Sequence, residues 1–587
     1  MNAQPVTPLV EAVETAVVDA VRRALPGTGR TEPLVRRSDF ADYQANAALS
    51  LAKQHGRNPR ELGNSIAEAL ADAELIAEAE VSGPGFVNLT LTDAAIWNQV
   101  AARTASENLG LDAPLAGQVV VVDYSGPNIA KEMHVGHLRS TVIGDALARL
   151  AEQQGATVIR QNHLGDWGTQ FGMLIQYLTE HPEAEWHHVE GADPTANITA
   201  LDRLYKEARA AFDADADFAN RARARVVALQ SGDEDTRKVW RDLVDVSTEA
   251  FAATYDRLGI SLTPADNAGE STYNDRLDNV VDVLVNAGIA VESGGALCVF
   301  FDDIKGPEGD PVPLILRKAD GGYGYAATDL ATIRHRIHDL KADQILYVVD
   351  ARQALHFRQV FATARRIGWL TDDVDAAHVP FGTVLGPDGK PFKTRSGDTV
   401  RLSSLLDDAV AKAGSVIAEK NPDADVDELA ALAAATGIGA VKYADLSNSR
   451  IKDYVFDPDR MVSLTGDTGV YLQYAHTRLA SILRKAGAVI VSVDATAPMS
   501  KEERALALHL DAYGPILTES MTEREPHRLC GYLYTLARTF TSFYEANPVL
   551  KAESDQTREN RLSLVQLAKD TLAHGLGLLG IVSPDRM

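Results

Sequence analysis

Only two cysteines, Cys298 and Cys530, occur in 587 residues, and they stand far apart in the chain. That excludes a disulfide framework and a CxxC metal unit, and a reducing, cytosolic setting is expected. Long apolar runs are also missing. The first helix-like stretch carries Glu11, Glu14 and Asp19 among its valines, so it lacks the uninterrupted apolar region of a secretory signal. No window is read as reaching the roughly 20 apolar residues that a bilayer span needs, and no membrane association is expected. Positive charge is scarce: 57 Lys and Arg against 82 Asp and Glu leave a net charge of -25. This balance speaks against indiscriminate affinity for nucleic acid. A local basic surface still escapes that exclusion, because charge is screened beyond about 8 Å at physiological salt.

What is present is ordinary globular composition, 45% hydrophobic and 24% charged, in a chain longer than the roughly 250 to 300 residues at which one core stops growing. Residues 1–112 read as a separate α+β module. It opens on a helix whose Leu9, Val10, Val13, Val17 and Val21 recur at spacings of three and four, and it holds a modest basic group of Arg36, Arg37, Lys53, Arg57 and Arg60. From Val119 to Val122 the run is continuously apolar, as in a strand buried on both faces of a parallel sheet. A Ser-Gly-Pro-Asn turn, a helical period from Met133 to Leu150 and a second apolar run from Ala156 to Ile159 follow. This β-turn-α-β order predicts a doubly wound, Rossmann-like nucleotide-binding domain over 113–464. Further strands are expected at Gln344–Val349 and Val379–Val384, with a helix-rich insertion over about 180–320. Residues 465–587 read as an all-α bundle.

The strongest chemical signal is His134-Val-Gly136-His137, placed after a predicted strand and at the first turn of a helix. A helix N-terminus offers unpaired N–H groups and a positive dipole end to phosphate. The two histidines, three apart, share a face and can donate to phosphate oxygens, while Gly136 removes a side chain where a flat base can lie. Two other patterns carry little. Gly575-Leu-Gly577-Leu-Leu-Gly580 matches GxGxxG without a preceding strand, and His187-His188 with Glu190 lacks a third metal ligand. No metal-ligating residues are nominated.

The stretch from Asp123 through Asn128, Lys131, His134 and His137 resembles the HIGH signature of class I aminoacyl-tRNA synthetases in the form carried by the arginyl family, and His163-Leu-Gly-Asp166-Trp167-Gly is similar to a second family stretch. The resemblance implies a class I catalytic domain with an N-terminal tRNA-contacting module and a C-terminal helical anticodon-binding bundle. It implies an ATP-dependent arginine–tRNA ligase, with ATP as substrate, Mg2+ beside it, and tRNA(Arg) and L-arginine as partners. A monomer is expected. In the place of the class I KMSKS loop stands Phe392-Lys393-Thr394-Arg395, with Thr394 where the second lysine falls. Arginyl enzymes that lack this lysine carry one just before the HIGH motif, and Lys131 stands there. The resemblance therefore nominates His134, Gly136, His137 and Lys393 for ATP, with Lys131 and Arg395 adding positive charge during catalysis. It nominates Asp123, Asn128, Tyr325, Asp329 and Gln353 for arginine, whose planar guanidinium suits carboxylates. Such recognition discriminates strongly, so no editing domain is expected.

For tRNA it nominates Phe86 and Asn88 at base-reading positions, and Tyr471 and Tyr474 at the entry to the helical bundle; Tyr532, Tyr534 and Tyr544 are further aromatic candidates. Two alternatives stay open at this stage. One is a class I synthetase for another amino acid. The other is a catalytically silent tRNA-binding paralogue, which is expected to have lost one of the two histidines; both are present.

Overall fold

A computed structural model describes residues 5–587, apart from 185, 187–193, 306–308, 310, 393–399, 421–424 and 488–491. At its centre lies a four-stranded parallel sheet in the order Asp375–His378, Gln344–Tyr347, Val119–Asp123, Thr157–Gln161. Val120, Val121 and Val122 are wholly buried, because helices cover both faces of a parallel sheet. At roughly 1.5–3 kcal/mol for each such side chain, this run is a main anchor of the domain. The helix Val135–Gln153 packs so tightly on the sheet that a Cβ at Gly144 would come within 2.3 Å of the Tyr124 ring.

Two sequence expectations need correction and one needs an addition. The expected strand Val379–Val384 is displaced: the sheet's edge strand is Asp375–His378, and Val384–Leu385 pairs instead with Tyr454–Val455. Asp375 and two alanines are weak strand formers, so parallel pairing to Gln344–Tyr347 overrides local preference there. The region between 180 and 320 is helix-rich, as expected, but also contains strands. After three long helices between Pro194 and Leu258 it holds a three-stranded antiparallel sheet, Ala290–Ser293, Ala296–Val299 and Leu314–Arg317. Finally, the helix Val426–Leu446 is long and apolar enough to cross a membrane by length and composition. Here 56% of its apolar window is buried, and it packs on the helices Leu402–Lys420 and Gly469–Ala486.

The N-terminal four-stranded antiparallel sheet orders Val35–Arg37, Tyr43–Ala45, Phe86–Leu91 and Ile76–Ser82. It is fastened to the C-terminal helices. Arg103 pairs with Asp511 at 2.9 Å with both side chains almost fully buried, Arg504 reaches Asp42 at 2.6 Å and also Asp93, and the Trp97 indole donates to the Ala497 carbonyl.

Candidate active site

The first and second halves of the parallel sheet diverge beside Val119–Asp123, and ligand crevices of such folds form at this switch point, beyond the carboxyl ends of the strands. The chain leaves Asp123 through a turn in which Ser125, Gly126 and Ala130 have φ of 72°, 54° and 61°. Ser140, one turn into the helix Val135–Gln153, holds the crossing: it accepts from the Ser125 N–H at 2.9 Å and donates to the Val348 carbonyl at 2.7 Å. Asn128 fits because a Cβ at Gly165 would stand 2.4 Å from its Oδ1.

At the helix start the two histidines cap the backbone. The His134 N–H donates to His137 Nδ1 at 3.0 Å, and the Gly136 N–H donates to His134 Nδ1 at 3.0 Å. Their rings lie 3.9 Å apart, nearly stacked. A Cβ at Gly136 would meet the His134 ring at 2.8 Å. The space over this glycine is thus taken by the folded-back imidazole, which corrects the expectation that it lies open to a base. Burial, with His134 and Lys131 adding positive charge, pushes the His137 imidazole down to about 3. Burial, Lys131 and Arg352 lower His134 as well. Both rings are therefore neutral near pH 7. Because each Nδ1 accepts a backbone proton, the ring proton sits on Nε2, making each ring a neutral donor through that atom.

His134, Gly136 and His137 share one cavity of about 610 Å³ with Asp123, Asn128, Tyr325, Asp329 and Gln353. The helix Tyr325–His338 brings Tyr325 and Asp329 one turn apart. Asp329 bonds His356 Nε2 at 2.5 Å. Asp123 accepts at Oδ2 from the fully buried Arg336 at 2.7 Å, and Arg336 also donates to Gln161 and lies over the Tyr347 ring. Arg336 and His356 escaped the sequence reading, since nothing local marks which base will meet an acid across 213 or 27 residues. Glu270, His163 and Arg352 also line the cavity. Of these, His163 had a signal as the first residue of the second family-like stretch and Arg352 one residue before Gln353, while Glu270 had none.

Lys131 is not part of the lining. Its ammonium lies over the Tyr205 ring, 4.4 Å from the centroid, though close enough to depress both histidines. Lys393, Thr394 and Arg395 lie outside the described residues, as do His187, His188 and Glu190. Just beyond that loop the Val400 carbonyl accepts from the Val135 N–H at 3.1 Å, and the Leu402 N–H donates to Met133. Gly575 and Gly577 sit inside the helix Asp555–Leu578, so the GxGxxG lookalike forms no phosphate loop.

At the N-terminal sheet, Phe86, Asn88 and Thr90 are half-exposed while Val87, Leu89 and Leu91 are buried, the alternation a one-sided strand requires. Asn88 accepts from Gln44 and donates to Ser82. Tyr471 meets Tyr534 edge-on, and Tyr474 is 45% exposed. Tyr532 is withdrawn as an RNA candidate: it is buried, stacked on His509 at 4.4 Å.

A parallel-sheet switch point with paired histidines at a helix start is the site of a class I aminoacyl-tRNA synthetase. Family models match in order: "Arginyl tRNA synthetase N terminal domain" over 11–91, "tRNA synthetases class I (R), catalytic domain" over 100–458, and "DALR anticodon binding domain" over 472–587. The chain is 62% identical to an arginine–tRNA ligase of Frankia casuarinae, with 100% of both chains covered. It is 51% identical to that of Streptomyces avermitilis, covering 99% of this chain and 100% of the relative. Among solved structures, the arginyl-tRNA synthetase of Plasmodium falciparum superposes with a TM-score of 0.82 at 29% identity, and that of Thermus thermophilus with 0.80 at 27%; each covers 99% of this chain and 100% of its own. The chain belongs to the arginyl-tRNA synthetase family.

Proposed function

We propose that this cavity joins L-arginine to ATP and then passes the arginyl group to the terminal adenosine of tRNA(Arg), with release of AMP and pyrophosphate. The chain is an ATP-dependent arginine–tRNA ligase, and one observation carries the assignment of the site: the histidine pair and the five residues nominated for arginine line the same cavity.

The chemistry needs no protein nucleophile. The arginine carboxylate attacks the α-phosphate and pyrophosphate leaves, so the protein works by alignment and by placing donors where charge develops. Neutral His134 and His137 donate through Nε2 to phosphate oxygens, and Gly136 lets the rings fold into place. Lys131, Lys393 and Arg395 supply positive charge along the triphosphate; the bond from Val135 to Val400 anchors one end of the Lys393 loop beside the histidines. Among the described residues no group of three or more His, Cys, Asp or Glu side chains is arranged to hold a metal. Mg2+ would come with ATP and would supply positive charge for the leaving pyrophosphate, in keeping with its preference for phosphate and water. Asp329, held by His356, and Asp123, held by Arg336, orient the guanidinium with Tyr325. Asn128 and Gln353 serve the amino-acid end. In the second step a ribose hydroxyl, the 2′ one by resemblance to class I, attacks the adenylate carbonyl.

The division into 1–112, 113–464 and 465–587, a monomeric state, a cytosolic location and the absence of membrane contact complete the reading. Phe86 and Asn88 read the tRNA from the N-terminal sheet, and Tyr471 and Tyr474 from the bundle entry. The test is ATP–pyrophosphate exchange with each amino acid in turn, with and without tRNA(Arg). Arginine alone should support exchange, and only when tRNA is present. Exchange with another amino acid would overturn the specificity, and efficient exchange without tRNA would overturn the need for bound tRNA in activation, which the resemblance to the arginyl family implies.

A further inference from the structure

Residues 125–130 connect the strand Val119–Asp123 to the two histidines through a backbone that most side chains avoid. Ser125 and Ala130 have φ of 72° and 61°, in the left-handed region, and both are buried. Non-glycine residues stay there only where surrounding groups hold them. The holding groups come from outside the sheet. The helix Glu234–Leu258, last of the three long helices of the 180–320 region, carries Trp240, Ser247 and Tyr255 seven and eight residues apart, so the three share one face. The Trp240 indole donates to the Asp166 carbonyl at 2.8 Å, in the loop that gives His163 and Gly165 to the cavity. Ser247, wholly buried, donates its hydroxyl to the Leu243 carbonyl at 2.7 Å and accepts the Ala130 N–H at 3.0 Å.

The Tyr255 hydroxyl lies 2.8 Å from Ser125 Oγ and accepts from the Asn162 amide at 3.1 Å, while Asn162 Oδ1 takes the Gly126 N–H at 3.0 Å. From Ser125 the contacts run on to the histidines: Thr141 Oγ1 lies 2.9 Å from Ser125 Oγ and 2.7 Å from the His137 carbonyl. Burial pushes the Tyr255 phenol up to about 12, so near neutral pH it keeps the proton that this chain of hydroxyls uses. The far end of the helix is clamped as well. Just beyond Leu258, Ser261 donates its N–H to Asp145 Oδ1 at 2.8 Å and Arg149 donates to the Gly259 carbonyl at 2.9 Å, both partners on the helix Val135–Gln153. The buried Lys442 ammonium caps the Leu258 carbonyl at 2.8 Å, a favourable charge at a helix C-terminus.

We infer that the helix Glu234–Leu258 is the strut that fixes the nucleotide-binding turn, and that Ser247 and Tyr255 are positioning residues for His134 and His137. This rests on the assignment of the two histidines to ATP. Neither positioning residue lines the cavity; Ser247 acts through the Ala130 backbone and Tyr255 through Ser125 and Thr141. A helix braced at its end and bonded to two left-handed residues leaves the turn little freedom to relax. Alignment on this scale matters, because a displacement of about 1 Å costs about 10²-fold in rate. The long segment between the two halves of the sheet thereby takes part in the reaction as the scaffold of its phosphate-facing donors.

The test follows tRNA-dependent pyrophosphate exchange and thermal unfolding of the full-length protein carrying Tyr255→Phe, Ser247→Ala, Leu229→Val or His137→Ala. Tyr255→Phe removes one oxygen and strands no partner, since Asn162 keeps Asn267 at 3.1 Å and Ser125 keeps Thr141. It should lower kcat by about 10-fold, with the arginine KM within about threefold and Tm lower by no more than about 4 °C. Ser247→Ala should lower kcat by about 10- to 100-fold, again with little change in the arginine KM. Leu229→Val trims a buried side chain on the helix Ala216–Ser231 that makes none of these bonds. It should lower Tm at least as far as Tyr255→Phe and leave kcat within about twofold. If His137→Ala slows exchange while Tyr255→Phe and Ser247→Ala do not, the inference fails and the assignment of the histidines stands. If His137→Ala does not slow it, that assignment fails and the inference with it. A fall in kcat for Leu229→Val as large as that for Tyr255→Phe would trace the effect to general stability and overturn the inference.

Discussion

At the contact between the N-terminal segment and the C-terminal helices, Asp511 receives Arg103, Gln99 and the Leu9 N–H at 2.6–3.1 Å, and both charged side chains are 3% exposed. In the cavity, by contrast, the Glu270 side chain has no hydrogen-bond or ion-pair partner among the described residues, and each of two neutral histidines has its Nδ1 tied to backbone while its Nε2 proton is left to give. The residue types overlap and the use is opposite. Polar groups that saturate one another out of water hold modules together and resist loss of either member. Groups held rigidly but left incomplete are those a substrate can complete.

The comparison can be broken first at its structural end. Asp511→Ala leaves Arg103 buried without a counter-charge and should cost about 3–5 kcal/mol of stability, read by urea denaturation. The arginine KM should stay unchanged; a stability loss below about 1 kcal/mol would show the contact to be ornamental. At the other end, His137→Ala removes one transition-state donor and should slow tRNA-dependent pyrophosphate exchange by about 10²–10³-fold, while loss of the backbone cap lowers stability by only about 1 kcal/mol.

The same ring sharpens the contrast through pH. Its folded pKa of about 3 lies below the unfolded value of about 6.5. Between these values the unfolded chain holds a proton that the folded chain does not, so stability falls as pH drops through that window. From pH 7 to 8 neither histidine should titrate, and a limb of kcat centred in that range and removed by His137→Ala would contradict the neutral-donor role. A smaller effect is expected at the N-terminal sheet. Phe86→Ala should weaken tRNA binding by about 1–3 kcal/mol, measured as tRNA Kd, and leave arginine-dependent exchange at saturating tRNA unchanged. Smallest of all, Arg22→Ala breaks a pair exposed on both sides, and stability should move by no more than about 0.5 kcal/mol.

Much of the fold could be read from pattern because it is local. Val119–Val122 is apolar at every position, and the helix period resumes right after the His134 signature, so strand and helix follow from side-chain spacing. The edge strand Asp375–His378 was hidden because its residues acquire strand geometry from a neighbour rather than from their own preference. Tyr532 misled for the converse reason: an aromatic at helical spacing looks the same whether it faces RNA or, as here, His509 and Tyr513. The nominated cavity residues were legible through motif; the groups that tune them were not. Arg336, His356 and Glu270 acquire meaning only from the acids they meet or face.

The amino-acid order by itself determined that a helix opening on two histidines follows a buried parallel strand, and that acids with an amide pair accompany it in the chain. Tertiary structure alone decided which of those acids are already paired, and in what protonation state the histidines stand. The reason is physical: periodicity and turn chemistry act over a few residues, whereas counter-charges, desolvation and cavity walls come from segments that only the folded chain brings together.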